Sequence, residues 1–194
     1  AVWPISGTLG TLADFDFDQN GNIWAGGPAS SDGTNNIYEV RNSDKNVFAV
    51  PFNNSTIRSV RVYNGYVYVG GKVDSTEGVW RFQILTDSLG APEKYFDLSA
   101  QVGYKFNGPP VNAITFNTDG DIYLGTESLD AILLVHPNKS FDVFYTGLLN
   151  PKILLFAWGK GTTLYAIKTS SDVSTSASKI IYKINTLKTG APYY

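Results

Sequence analysis

The stretch Phe116-Asn117-Thr118-Asp119-Gly120-Asp121-Ile122-Tyr123-Leu124-Gly125 reads as a strand, a tight turn and a second strand. Its Asp-Gly pair supplies the positive φ that a hairpin turn needs, and apolar residues follow on the return strand. The same pattern recurs at Phe17-Asp18-Gln19-Asn20-Gly21-Asn22-Ile23-Trp24-Ala25-Gly26, at Val62-Tyr63-Asn64-Gly65-Tyr66-Val67-Tyr68-Val69-Gly70 and at Trp158-Gly159-Lys160-Gly161-Thr162-Thr163-Leu164-Tyr165-Ala166-Ile167. The aligned aromatics Trp24, Tyr68, Tyr123 and Tyr165 stand 44, 55 and 42 residues apart, a mean of 47. That period belongs to propeller blades, whereas a β-sandwich has no reason to repeat one hairpin at a fixed interval.

Working outward from each hairpin, a third strand follows at 36–40, 78–85, 131–135 and 179–184, and a fourth at 47–52, 93–98 and 141–146. The expected fold is therefore all-β: one propeller domain over 1–194, with four blades of four-stranded antiparallel meanders at 7–52, 53–98, 107–149 and 150–194. The alternative is a four-blade part of a larger or intermolecular ring. A second echo, with a period of 100 residues, matches Trp80 to Ile84 and Gly90-Ala91-Pro92 with Ile180 to Ile184 and Gly190-Ala191-Pro192. It implies that blades two and four share their outer connection. The fourth blade lacks most of an outer strand, and Ala1-Val2-Trp3-Pro4-Ile5-Ser6 resembles the outer-strand segment Phe48-Ala49-Val50-Pro51-Phe52-Asn53. Residues 1–6 are expected to pair with Lys179 to Ile184, closing the exposed edge in the same chain or, head to tail, in a second copy.

Composition supports this reading. Charged residues are only 16% of the chain, while 19 Gly, 12 Tyr, 11 Phe and 4 Trp favour turns and strands over surface helices. A net charge of -2 gives no electrostatic reason to expect a nucleic-acid partner. The charge is uneven: residues 1–50 hold six acids and two bases, residues 145–194 one acid and six bases. Cysteine is absent, which excludes disulfides, thiolate metal sites and cysteine nucleophiles. No apolar run is long enough for a membrane span, and Ala1 is read as a processed start, so an extracellular or periplasmic location is expected. Asn53-Asn54-Ser55, Asn54-Ser55-Thr56 and Asn138-Lys139-Ser140 fit the glycosylation pattern, as chance does in an Asn-rich chain.

The third repeat, from Val111-Asn112-Ala113-Ile114-Thr115 through Gly125, Ile132-Leu133-Leu134-Val135 and Gly147-Leu148-Leu149-Asn150-Pro151, resembles one blade of the NHL-repeat and gluconolactonase-like propellers. In the gluconolactonase-like enzymes the resemblance implies a divalent metal in the central channel on a Glu, Asn and Asp set. Asn112 falls where that family places an Asn, but the corresponding places in the other blades hold Ala13, Arg58 and Leu154.

Other candidates come from the residues themselves. Asp14, Asp16 and Asp18 alternate along the first strand, which puts their side chains on one face where oxygen ligands can hold calcium. The calcium-loop pattern that begins at Asp16 has Gly27 where a bidentate Glu is needed, so a solvated strand face is the plainer reading. His136, the single histidine, reads as a loop residue with no acid in its local motif. Recurring aromatics fill the gaps between blades. The non-recurring Trp3, Trp80 and Tyr104 are better candidates for exposure, although packing is the plainer reading of each, and with Asn112 and Arg58 they are the candidates for binding a ligand such as a carbohydrate. The Ser- and Thr-rich loops 27–35 and 169–178 connect the second strand to the third in blades one and four. Missing catalytic groups favour a non-enzymatic binding or assembly module without a cofactor. A metal-dependent lactonase-type hydrolase is the alternative, and a structural subunit of a surface assembly the third reading.

Overall fold

The computed structural model describes residues 7, 9–86, 88–101, 109–144, 149, 152–169 and 179–192. Among them there is no helix, and the strands form antiparallel meanders of β-propeller type, as the repeat predicted. Blade 1 is β1 (Asp14–Phe17), β2 (Ile23–Gly26), β3 (Asn36–Val40) and β4 (Val47–Pro51). Blade 2 is β5 (Ser55–Tyr63), β6 (Tyr66–Val73), β7 (Thr76–Gln83) and β8 (Glu93–Asp97). Blade 3 is β9 (Val111–Phe116), β10 (Ile122–Thr126), β11 (Ile132–Val135) and β12 (Phe141–Phe144). Blade 4 has three described strands, β13 (Ile153–Trp158), β14 (Thr163–Thr169) and β15 (Lys179–Asn185), each paired with the next. The chain divides into two compact units, one holding blades 1 and 2 and the other blades 3 and 4. The expected pairing of residues 1–6 lies outside the described residues.

The turns form as their residues dictate. Tyr63 pairs with Tyr66 across Asn64 and Gly65, both at positive φ (48° and 77°), the conformation a two-residue hairpin requires. In blade 1 the Asp18 carboxylate accepts the N–H groups of Asn20 and Asn22 and the Asn22 side-chain amide. Blade 3 makes the same turn with acid and amide exchanged: Asn117 Oδ1 accepts the N–H groups of Asp119 and Asp121 and its Nδ2 donates to Asp121.

In each unit the core lies between its two sheets. Trp24 and Ile37 of blade 1 join Ile57, Val60, Val67 and Val69 of blade 2, and Tyr123 and Ile132 of blade 3 join Ile153, Phe156 and Leu164 of blade 4. A glycine lets each pair of blades approach. A Cβ on Gly26 would stand 2.8 Å from Ile57 Cδ1, and one on Gly125 2.7 Å from Ile153 Cγ2, so an isoleucine of the following blade fills the space each glycine leaves.

The outer connections of blades 2 and 4 differ, contrary to the sequence echo. Gly90 folds back on its own blade, donating to Gln83 O, whereas Gly190 bridges Asn117 and Ala191 donates to Phe116 O in blade 3.

Candidate functional site

The first strands of blades 2, 3 and 4 each carry one residue that the hairpin register singles out. Arg58, Asn112 and Leu154 are each skipped by the pairing with the second strand, which makes them the extra residues of β-bulges, and Ala13 holds the corresponding place before Asp14. Bulges re-aim side chains and commonly flank functional sites. Here Arg58 makes a two-pronged ion pair with Glu77, at 2.9 and 3.1 Å. Asn112 Nδ2 donates to Glu127 Oε1 at 3.3 Å, and Lys152 Nζ lies 3.5 Å from the other Glu127 oxygen. A methyl, a guanidinium, an amide and an isobutyl group supply a single oxygen at the three bulges and the corresponding place in blade 1, so these residues do not fit the channel metal of gluconolactonase-like enzymes.

The carboxylates of β1 do lie on one face, but that face is not solvated; it meets the edge of blade 2. Asp14 Oδ2 accepts hydrogen bonds from Ser59 Oγ (2.8 Å), Val60 N (3.0 Å) and Arg61 Nη1 (2.7 Å). Asp16 accepts the N–H of Val62 on one oxygen and that of Phe17 on the other, both at 2.9 Å. Because β5 is the end strand of its sheet, its outward N–H groups recur every second residue, and alternate side chains of β1 have the same period. Burial holds Asp16 above its ordinary carboxylate value, against the hydrogen bonds that stabilise its charge. Asp18 accepts the Trp24 indole N–H in addition to its turn bonds. Among the described residues no three acidic or histidine side chains gather where they could hold a metal ion.

Of the non-recurring aromatics, Trp80 is packed: it is buried against Phe52, with ring centroids 6.3 Å apart. Trp3 and Tyr104 lie outside the described residues, as do residues 170–178 of the second polar loop. In the first loop, Asp32 accepts from Ser30 Oγ and from the N–H and hydroxyl of Thr34, which lowers its pKa to about 2. This loop and Tyr38 border a cleft of about 140 Å³, and a second cleft of about 160 Å³ lies between Asp18, Asn20, Val62 and Ile84. Both are smaller than the roughly 300 Å³ at which organic-ligand sites begin.

His136 has the acids that its local sequence did not reveal. Its Nδ1 lies 2.9 Å from Asp121 Oδ1 and its Nε2 3.0 Å from Asp142 Oδ2. These bonds, to Asp121 first and Asp142 second, raise its pKa above 6.5.

No family model matches the chain, and no curated protein matches it in sequence. Solved structures do match. A luciferin-regenerating enzyme is 15% identical, with a TM-score of 0.68 over 94% of this chain and 64% of that one. The PQQ-bound aldose sugar dehydrogenase of Streptomyces coelicolor is 17% identical, with a TM-score of 0.60 over 87% of this chain and 59% of its own. A protein of unknown function from Bacteroides thetaiotaomicron is 13% identical, with a TM-score of 0.62 over 93% and 42%. The chain thus spans between about two fifths and just under two thirds of these structures. At such identities the likeness carries the fold alone, and that fold is the β-propeller.

Proposed function

We propose that the chain is a non-enzymatic β-propeller module of extracellular or periplasmic type, acting in binding or assembly. One observation supports this most: the ionisable side chains on the first strands of blades 1 and 2 are spent on contacts between the two blades or within blade 2. Asp14, Asp16 and Arg61 join β1 to β5, and Arg58 is held by Glu77. Reactive groups in an enzyme point into a cleft with capacity left for substrate.

A second reading, a metal-dependent lactonase-type hydrolase, is favoured by Asn112 and Glu127, which bring an amide and a carboxylate together at a bulge. One experiment separates the two. The module is expected to show no hydrolysis of simple lactones and no saturable rise in melting temperature with calcium or zinc, since a ligand bound by the native state raises it by mass action. Turnover, or a metal-dependent rise that disappears in Asn112→Ala, establishes the hydrolase instead. Light scattering on the chain with and without residues 1–6 reads the assembly half. Strand addition to β15 requires that the deletion either lower stability or dissolve an oligomer.

A further inference from the structure

Among the described residues, glycine directly follows an asparagine or aspartate at Asn20-Gly21, Asp32-Gly33, Asn64-Gly65 and Asp119-Gly120. In such a pair the glycine nitrogen lies next to a side-chain carbonyl carbon, and no Cβ on the glycine screens the approach. What separates the pairs is where the turn puts the glycine. Gly21, Gly33 and Gly120 are the fourth residues of their turns, and each N–H closes its turn by donating to the carbonyl three residues back: Asp18 O at 2.9 Å, Ser30 O at 3.0 Å and Asn117 O at 3.1 Å. The β5–β6 hairpin is tighter. Tyr63 pairs with Tyr66, so Gly65 is the third residue of that turn, and its N–H donates to no described residue. Asn64 and Gly65 are both exposed, and a Cβ on Gly65 would meet nothing within 4 Å. At Gly21, by contrast, a Cβ would stand 2.9 Å from Asn42 Nδ2, which also donates to Asn20 O.

We propose that Asn64 is a site of covalent self-modification, at which the backbone nitrogen of Gly65 attacks Asn64 Cγ and the folded chain deamidates. The N–Cγ bond forms as the nitrogen gives up its proton, the Cγ–Nδ2 bond breaks, and Nδ2 leaves with a proton as ammonia, giving a five-membered imide. Water, the one co-reactant, then opens the imide. Attack at the side-chain carbonyl leaves aspartate, and attack at the backbone carbonyl leaves isoaspartate; nothing is oxidised or reduced. An N–H held by a carbonyl resists the first step, because losing its proton turns a hydrogen bond into a contact between lone pairs, and because the bond fixes a peptide plane that must rotate. That protection covers Gly21, Gly33 and Gly120 and is missing at Gly65. The isoaspartate linkage adds one carbon to the main chain of a loop whose two residues set the register of β5 on β6. The inference is independent of the functional reading above and holds whether or not the module proves enzymatic.

The test is incubation of the folded chain at mildly alkaline pH, followed by peptide mapping. Trypsin puts the two Asn-Gly pairs in different peptides, 62–72 and 1–41, and fragment masses locate the small gain that replacing an amide by an acid brings. Asn64 is expected to deamidate at least about fivefold faster than Asn20, the factor for one hydrogen bond of ordinary strength that must open first. In denaturant both asparagines precede glycine in an unfolded chain, so the two rates should come together, which attributes the difference to the fold. The isoaspartate form, separated by chromatography, should melt below the unmodified chain, whereas Asn64→Asp, with the same charge on an ordinary backbone, should melt with it. Equal rates in the folded chain, or faster loss at Asn20, overturn the proposal. So does an Asn64 that reacts only in denaturant, for then the hairpin protects it as the longer turns protect theirs.

Discussion

The Asp16 carboxylate accepts the backbone N–H of Val62 at 2.9 Å, so a side chain of blade 1 finishes the hydrogen bonding of an end strand in blade 2. Two residues earlier, Asp14 does the same for Val60 and also pairs with Arg61. End strands present unpaired N–H groups that are costly to bury and invite wrong pairing. Asp16→Ala is therefore expected to destabilise by about 1–3 kcal/mol, the cost of an unsatisfied buried donor. Asp14→Ala should cost more, about 3 kcal/mol or above, because it strands the buried Arg61. Denaturant titration of each variant checks the order; a smaller loss for Asp14→Ala contradicts the assigned roles.

The same carboxylate predicts a pH dependence. Because burial raises the Asp16 pKa above 3.8, the folded chain holds that proton more tightly than the unfolded one. Its contribution to stability falls as pH rises from the unfolded value through the raised folded value, opposite to an ordinary paired carboxylate. Asp16→Asn retains an acceptor for Val62 and removes the titration. Melting curves from about pH 3.5 upward should differ in slope between the two proteins just above the carboxylate range and run parallel at neutral pH.

His136 gives the reverse sign. With both ring nitrogens on carboxylates, each must carry a hydrogen to donate, so the arrangement is complete only in the imidazolium. Its raised pKa means a contribution fully present below 6.5 and lost as pH rises through the folded value. His136→Gln should flatten the decline in melting temperature across and above neutrality. A direct check is the nuclear magnetic resonance titration of this single histidine, whose midpoint should fall in Asp121→Asn and, less, in Asp142→Asn.

How much of this was legible in the sequence depended on whether the cause was local. Asn64-Gly65 and Asp119-Gly120 announce their hairpins because the turn itself demands those residues, and the strands of blades 1 to 3 followed. The alternation of Asp14 and Asp16 correctly gave one face, yet nothing within β1 says that β5 lies across from it. His136 is an intermediate case. Val135 pairs with Ile122, which puts Asp121 opposite the histidine, and Asp142 stands opposite Leu134, two residues before it on the same face. That contact becomes readable only once the meander register is known. Lack of recurrence left Trp80 open to exposure while packing was the plainer reading, and it does fill blade-specific space beside Phe52.

The packing of successive blades through a glycine can be tested within the chain as it stands. A methyl added at Gly26 would sit 2.8 Å from Ile57 Cδ1 and 3.1 Å from its Cγ2, in a core where both residues are buried. Gly26→Ala is expected to cost about 1–3 kcal/mol through overpacking. Ile57→Val alone removes Cδ1, the nearest offending atom, and should cost about 0.5–1.5 kcal/mol. Combined, the two changes exchange one methyl for another across the same gap, so the double variant should be more stable than the sum of the singles predicts. A coupling of at least about 0.5 kcal/mol marks direct contact. Gly26→Ala paired with Val79→Ala, a substitution on β7, supplies the additive control. If Ile57 couples no more strongly than Val79, the glycine is a strand residue like any other and does not set the distance between blades.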